Sequence, residues 1–361
     1  MSCDDLPSQR PRFLGKAKSN PAKHHLTGGK MKEISALSAK QLDALDRFRR
    51  ETLMFPQFET AYRSISESLT LYRRTGLAEC LAIYGETGCG KTTVCKVVEG
   101  ENQRYSEPHR DVVPVLYASI PALATISSVA ECLLTKIGDP APSKGTNSSK
   151  TERLIGLIQA CSVDLVILDE LQHVHDRGQS PTIYKVGDWI KNFADRIAKP
   201  VVLVGIRRAE ILVATNGQLR RRFSAALPMD PMTFDSEQGI QEFMALVSTL
   251  FDALPVQCAL QPSSYQALER LYYATDGRIG YLVSLFQRAL MLAFRSDSKI
   301  VSEAILEQAF VEQIWEAGYG QLNPFNKDFC LRRLDRRLEP FAAESIGAKP
   351  KTSRQSRRGA R

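Results

Sequence analysis

With 361 residues, 43% of them apolar and 24% charged, the chain has material for one large folded domain or two modest ones. No apolar run approaches the roughly 20 residues of a membrane span. The opening "MSCDDLPSQRPRFLGK" has acids and prolines where a secretory leader needs an apolar stretch, so a soluble cytoplasmic protein with no membrane contact is expected. The net charge of +8 sits at the ends. Residues 1–32 hold seven Lys/Arg against two Asp, residues 331–361 hold ten against three acids, and the body between is left at about −4. Basic ends beside such a body suit contact with DNA or RNA, or simply solubilise the chain.

Residues 1–34 are polar and punctuated by Pro and Gly, which predicts a basic flexible segment. From 35 to 75, apolar residues recur at three and four, predicting two or three helices. "ECLAIYG" then reads as a buried strand, followed by the helix "KTTVCKVVEGEN", the strand "VVPVLYASI" and the helix "PALATISSVAECLLTKIG". "SKTERLIGLIQACS" is a helix whose Ser149 and Glu152 match a capping box. Next come the strand "VDLVILDE", the helix "IYKVGDWIKNFADRIA", the strand "KPVVLVGI", the helical "AEILVATNGQLRRRF" and the strand "SAALPMD". Strands apolar throughout and separated by helices predict a mostly parallel sheet covered on both faces. Beyond residue 231 the pattern is helical only, over 235–250, 262–274, 278–295 and 302–315, with no room for further strands. The eight cysteines form no CxxC pair and sit mostly in apolar runs, so buried reduced thiols are expected, with no disulfide framework and no structural zinc.

The chemistry begins at "IYGETGCGKTT". Gly85, Gly90, Lys91 and Thr92 satisfy G-x-x-x-x-G-K-[ST] between a strand and a helix; Thr87, Gly88, Cys89 and Thr93 complete the loop. Glycines let successive backbone N–H groups turn toward an anion, and the helix that follows presents its positive end to it. Lys91 is placed to reach the β- and γ-phosphates of ATP, and the Thr92 hydroxyl to ligate Mg²⁺. In "DLVILDE", Asp169 and Glu170 end a buried strand and face the crevice where phosphates lie. Asp169 is expected to serve the magnesium shell, and Glu170 to polarise a water for attack on the γ-phosphorus. In "NGQLRRRF", three arginines end a helix before a strand; Arg221 or Arg222 is the candidate to reach a neighbouring subunit's γ-phosphate.

Together "IYGETGCGKTT", "LVILDELQHV", "KPVVLVGIRRAE", "QLRRRF", "TDGRIGYLVSLFQRAL" and "NPF" resemble the TniB/TnsC-type transposition ATPases of the AAA+ class, from about residue 47 to 325. The resemblance implies an α/β fold: a three-layer αβα P-loop NTPase core over 76–230 with a helical lid over 231–325. A helical extension (35–75) precedes the core, and a basic tail (326–361) follows the lid. It implies ATP binding, assembly on double-stranded DNA as a ring or helical homo-oligomer, and recruitment of a transposase and a target-selection protein. It also implies that hydrolysis resets the assembly, in a bacterial, nucleoid-associated setting. An origin-recognition or helicase-loader ATPase, a signalling P-loop switch without a DNA role, and a scaffold that binds ATP with negligible turnover are the competing readings. Two departures from the class suit slow, switch-like hydrolysis. Ile206 stands where a polar sensor ends the fourth strand, with Arg207 or Arg208 as substitutes, and Gly280 stands where a lid arginine is usual.

Smaller features remain. His173, His175 and Asp176 in "HVHD" suit a polar edge beside the carboxylates better than a metal site, with His173 able to sense the nucleotide state. Cys89 suits redox control or a small tolerated side chain, and Ser119 a restraint on Glu170. Leu331, Leu334 and Leu338 share one face of an amphipathic "LRRLDRRLEPF" that docks on a partner or ends the fold. Lys136, Lys144 and Lys150 are weak candidates for facing DNA.

Overall fold

The computed structural model describes residues 37–122, 124–174, 180–207, 209, 210, 213, 217–223 and 225–342. The basic segment 1–34, Cys3, His175, Asp176, Arg208 and the basic end from 343 lie outside the described residues.

Two helices lead in. Helix α1 (Ala39–Arg50) starts on a capping box in which the Ser38 hydroxyl accepts from the Gln41 N–H, and α2 (Pro56–Thr75) starts on Pro56 and stops at left-handed Gly76. The αβ core follows: β1 (Leu81–Tyr84), α3 (Lys91–Glu101), a short antiparallel hairpin β2–β3 (Tyr105–Glu107 and Arg110–Val112), and β4 (Val115–Ser119). It continues through α4 (Ile126–Ile137), α5 (Asn147–Ala160), β5 (Leu165–Asp169), α6 (Ser180–Ile197), β6 (Val201–Gly205), α7 (Gly217–Arg222) and β7 (Ala225–Pro228). The sheet order is β4-β5-β6-β1-β7, all parallel. Because side chains alternate across a strand, Ile83, Ile167 and Val204 pack with α2 and α3 on one face. Ala82, Leu168 and Leu203 pack with α4, α5 and α6 on the other.

The first of these apolar layers runs without a break into the lid, formed by α8 (Glu237–Asp252), α9 (Tyr265–Thr275), α10 (Ile279–Arg295) and α11 (Glu303–Gln313). The lid is not purely helical. A two-residue parallel pair, β8 (Gln257–Cys258) with β9 (Ile300–Val301), ties the loops before α9 and α11; it is too short for any alternation to announce it. The motif "TDGRIG" makes the turn that brings α10 to the core. Gly277 has φ +68°, and a Cβ there would lie 2.1 Å from the Met232 carbonyl oxygen, so no other residue fits. "NPF" locks the lid's end: buried Asn323 donates to the Glu307 and Gly318 carbonyls at 3.0 and 2.9 Å and accepts from the Phe325 N–H at 3.0 Å.

Three local expectations need correction. Helix α5 is capped by Thr146, whose hydroxyl accepts from the Ser149 N–H, and Glu152 instead grips Arg196 through two bonds of 2.7 and 2.6 Å. Lys150 does not face solvent: it is buried against Ser127 (2.9 Å) and Glu131. Residues 331–341 form no helix, because Leu331 and Leu338 take positive φ (+43° and +72°). Leu334 is fully buried and Phe341 packs on Tyr281, while Leu338 is 84% exposed, so the three leucines share no face. The segment is fastened by a two-pronged bridge from Arg333 to the buried Asp276 and by Arg332 on Glu339.

That packing separates two leucines of equal size. Leu334→Ala should lower the unfolding free energy by about 2–5 kcal/mol, whereas Leu338→Ala should change it by less than about 0.5 kcal/mol. Urea denaturation of the full chain reads both; equal losses would contradict the described packing.

Candidate functional site

The carboxyl edge of the sheet assembles the site. Gly85 leaves β1 against β7, where a Cβ would lie 1.7 Å from the Met229 carbonyl oxygen, and its N–H reaches the Gly205 carbonyl at 3.3 Å. Gly88 and Gly90 hold φ of +83° and +84°, curling the loop onto the start of α3. The Lys91 ammonium, nearly buried, folds back and donates to the Gly85 and Glu86 carbonyls at 2.9 and 2.7 Å. Burial lowers its pKa below the usual lysine value.

Asp169 closes β5 and is 1% exposed. One of its oxygens accepts from the Thr92 hydroxyl at 2.7 Å and the Tyr117 hydroxyl at 2.9 Å; the other accepts from the Glu170 N–H at 2.8 Å. Burial first, and the Asp169 charge next, push the Tyr117 phenol well above its ordinary value and keep it a donor. A hydroxyl and a carboxylate converging at this distance are hard oxygen donors of the kind Mg²⁺ selects, so Thr92 and Asp169 fit that ion.

Glu170 stands next to Asp169 with φ +62°, held there by its own N–H on Asp169 and by the His173 N–H on its carbonyl at 3.0 Å. Its carboxylate accepts from the Gln172 amide, whose oxygen in turn accepts from the Ile206 N–H at 3.2 Å. Ser119 pairs in register with Asp169, yet the hydrogen bond that reaches the Glu170 carboxylate comes from Gln172. His173 spends Nδ1 on the Ile120 carbonyl at 2.8 Å. Arg207 is paired with Asp230.

A cavity of about 430 Å³ opens over these groups. Thr87, Gly88, Gly90, Lys91, Thr92 and Thr93 floor it, with Asp169, Glu170 and Gln172 at one end. The far end is walled by Leu53, Phe55 and Phe58 from around the start of α2, and by Ile279, Val283, Ser284 and Gln287 of α10. An apolar slot beside an anion cradle has the form a purine nucleotide needs. Neither these walls nor Tyr117 and Gln172 were picked out in the sequence, where the walls and Tyr117 read only as positions along a helix or strand; the one signal present for Gln172 was "DELQ", a polar residue two positions after Glu170.

Two candidates lie apart. Cys89 turns into the core, 1% exposed, and burial pushes its thiol up to about 12, which favours the small tolerated side chain over redox control. Arg222 is spent within the chain, on Asp195 and on the Ala194 carbonyl at 2.9 Å, whereas Arg221 is exposed at the end of α7. Neither arginine lines the cavity. Among the described residues no group of three or more His, Cys, Asp or Glu is placed to hold a metal ion, and no helix is long and apolar enough to cross a membrane.

Comparison with known proteins agrees with this geometry. The ORC1 protein of Aeropyrum pernix in complex with DNA is similar in fold, with a TM-score of 0.57 at 17% identity over 74% of this chain and 69% of that one. So is the Aeropyrum pernix ORC2 protein in its ADPNP–ADP complexes, with a TM-score of 0.53 at 16% identity over 76% and 72%. These likenesses establish the fold: an αβα core with a mostly parallel sheet and a phosphate loop, followed by a helical lid. No curated protein matches the chain. Residues 46–229 match the family described as bacterial TniB protein, just over half of the sequence, and on that match the chain belongs to the TniB family.

Proposed function

We propose that the chain is an ATP-hydrolysing regulator of DNA transposition that assembles on duplex DNA, engages a transposase and a target-selection protein, and is released by hydrolysis. One observation carries the hydrolytic part: in a TniB-family chain, Lys91, Thr92, Asp169 and Glu170 converge at the floor of a single cavity that has an apolar slot at its other end. In the resting loop Lys91 sits on two carbonyls, and a triphosphate would draw its ammonium onto the β- and γ-oxygens. Mg²⁺, held by Thr92 and Asp169, would neutralise phosphate charge. Glu170 orients a water in line with the γ-phosphorus and accepts its proton as ADP leaves.

The site is then completed by a second copy. Arg222 is committed to Asp195, so Arg221 is the side chain at the end of α7 that reaches a neighbour's γ-phosphate. The polar sensor and lid arginine usual in the class are replaced by Ile206 and Gly280, which supports slow turnover suited to a switch. The TniB match and the basic ends of the sequence support DNA as the surface of assembly. A cytoplasmic, nucleoid-associated location follows from that role.

Glu170→Gln should retain ATP and persist on duplex DNA as a large assembly while hydrolysis falls about 10²–10⁴-fold. Lys91→Ala should neither bind ATP nor assemble. Electron microscopy with ATP, a non-hydrolysable analogue and ADP reads both; a chain that stays monomeric on duplex with every nucleotide would refute the assembly.

Arg221→Ala should lower hydrolysis about 10³-fold with ATP binding retained. Mixing it with Glu170→Gln, which still assembles, should restore activity, because one copy brings an intact arginine and the other an intact Glu170. Absence of rescue would place the arginine outside the neighbouring site.

A further inference from the structure

The strand next to the catalytic edge ends without a polar side chain: β6 closes on Gly205, and Ile206 follows. A polar group nevertheless occupies that corner, and it comes from the chain segment after β5. Gln172 is 7% exposed and bridges two elements, its amide nitrogen donating to Glu170 and its oxygen accepting from the Ile206 N–H at 3.2 Å. The seat is shaped for it. A Cβ on Gly205 would lie 3.1 Å from the Gln172 oxygen and 2.8 Å from the Ala209 Cβ, so glycine at the end of β6 makes room for this side chain. Gln172 also lines the cavity beside Glu170.

A carboxylate acting on water in line with a phosphorus must be aimed to within a fraction of an ångström. Glu170 has three rotatable bonds between its backbone and its carboxylate oxygens, and its backbone is already in an uncommon region at φ +62°. Gln172 supplies the restraint on the carboxylate itself, and it takes its own position from the backbone of β6. A buried amide serves well here, because it carries a donor and an acceptor side by side in one plane, and exchanging them would break both bonds.

We propose that Gln172 is the positioning residue for hydrolysis: it aims Glu170 at the attacking water and fastens that aim to the end of β6. The proposal rests on the ATPase reading above. It places on the segment after β5 the task that a polar residue at the end of β4 or β6 would perform, and it accounts for why Ile206 and Ser119 can be free of it.

Three substitutions in the full chain test it. Gln172→Met keeps size and burial but neither hydrogen bond; Gln172→Glu keeps the acceptor for the Ile206 N–H and loses the donor to Glu170; Gln172→Asn is too short to span both. Each should lower kcat about tenfold to a hundredfold, with KM and the affinity for a fluorescent ATP analogue close to those of the parent. In a Glu170→Gln background, Gln172→Met should lower the remaining rate no further, since the group it aims is already disabled. A Gln172→Met kcat within about twofold of the parent, a loss shared equally by ATP affinity and melting temperature in all three variants, or losses that add in the double variant would each overturn the proposal. If the parent itself hydrolyses no ATP with or without duplex DNA, the ATPase reading fails and the proposal falls with it; if Glu170→Gln silences an active parent and Gln172→Met does not, only the proposal fails.

Discussion

Everything at the carboxyl edge of the sheet depends on one buried carboxylate. Asp169 is 1% exposed, and an isolated carboxylate there would be strongly unfavourable. Three donors from three elements make it tolerable: Thr92 from the first turn of α3, Tyr117 from β4 and the backbone N–H of Glu170. Because these donors lie on separate elements, the charge acts as a rivet. It fixes the phosphate loop's helix against the centre of the sheet, and through its bond to Glu170 it holds the next residue in a left-handed backbone that presents the carboxylate to the cavity.

The second constraint is the closeness of lid and loop. The Gly280 N–H donates to the Gly88 carbonyl at 2.7 Å, and a Cβ at 280 would lie 3.0 Å from that oxygen. The position where the class usually bears an arginine is therefore a backbone contact, and a longer side chain could not enter without moving the lid. Arg278 lies beside it, 3.7 Å from Glu86 and 3.8 Å from Asp276, with its guanidinium over the Tyr281 and Phe341 rings. The lid in this structure thus meets the floor of the cavity through glycine, and its cation is directed to the loop's outer side.

Much of this was legible in the residues, for identifiable reasons. Short apolar runs rich in β-branched residues, such as "LVIL" and "VVLV", alternate with helical stretches and so read as strands buried on both faces, which gave the covered parallel sheet; the phosphate loop was legible from its glycines and Lys91 between a strand and a helix. What escaped was whatever depends on register or on distant partners. Gln172 gains its role only because β6 places Ile206 within reach. Tyr117 reads as one more strand aromatic until β4 is set beside β5, where its hydroxyl meets Asp169. Thr146 outcompeted Ser149 as a cap because the helix begins one turn earlier and Glu152 has a better partner in Arg196. Leucines at helical spacing in 331–338 suggested a helix, but two positive φ values break it, and tertiary packing of Leu334 and Phe341 outweighs the local pattern.

The closing segment ties these constraints together. Asp276 is 2% exposed, and its carboxylate is held by both prongs of Arg333, with Arg278 standing 3.8 Å away. Were residues 331–341 to leave, Asp276 would lose its hydrogen-bonded cation, a change that destabilises the turn it belongs to. The same departure would strip Phe341 from Tyr281 and from the face of Arg278. Asp276, Gly277 and Arg278 form the turn that delivers Gly280 to Gly88, so the turn and the segment must hold or yield together. Lid placement against the phosphate loop is in this way a property of the whole carboxyl-terminal third of the described chain, and the lid helices alone do not determine it.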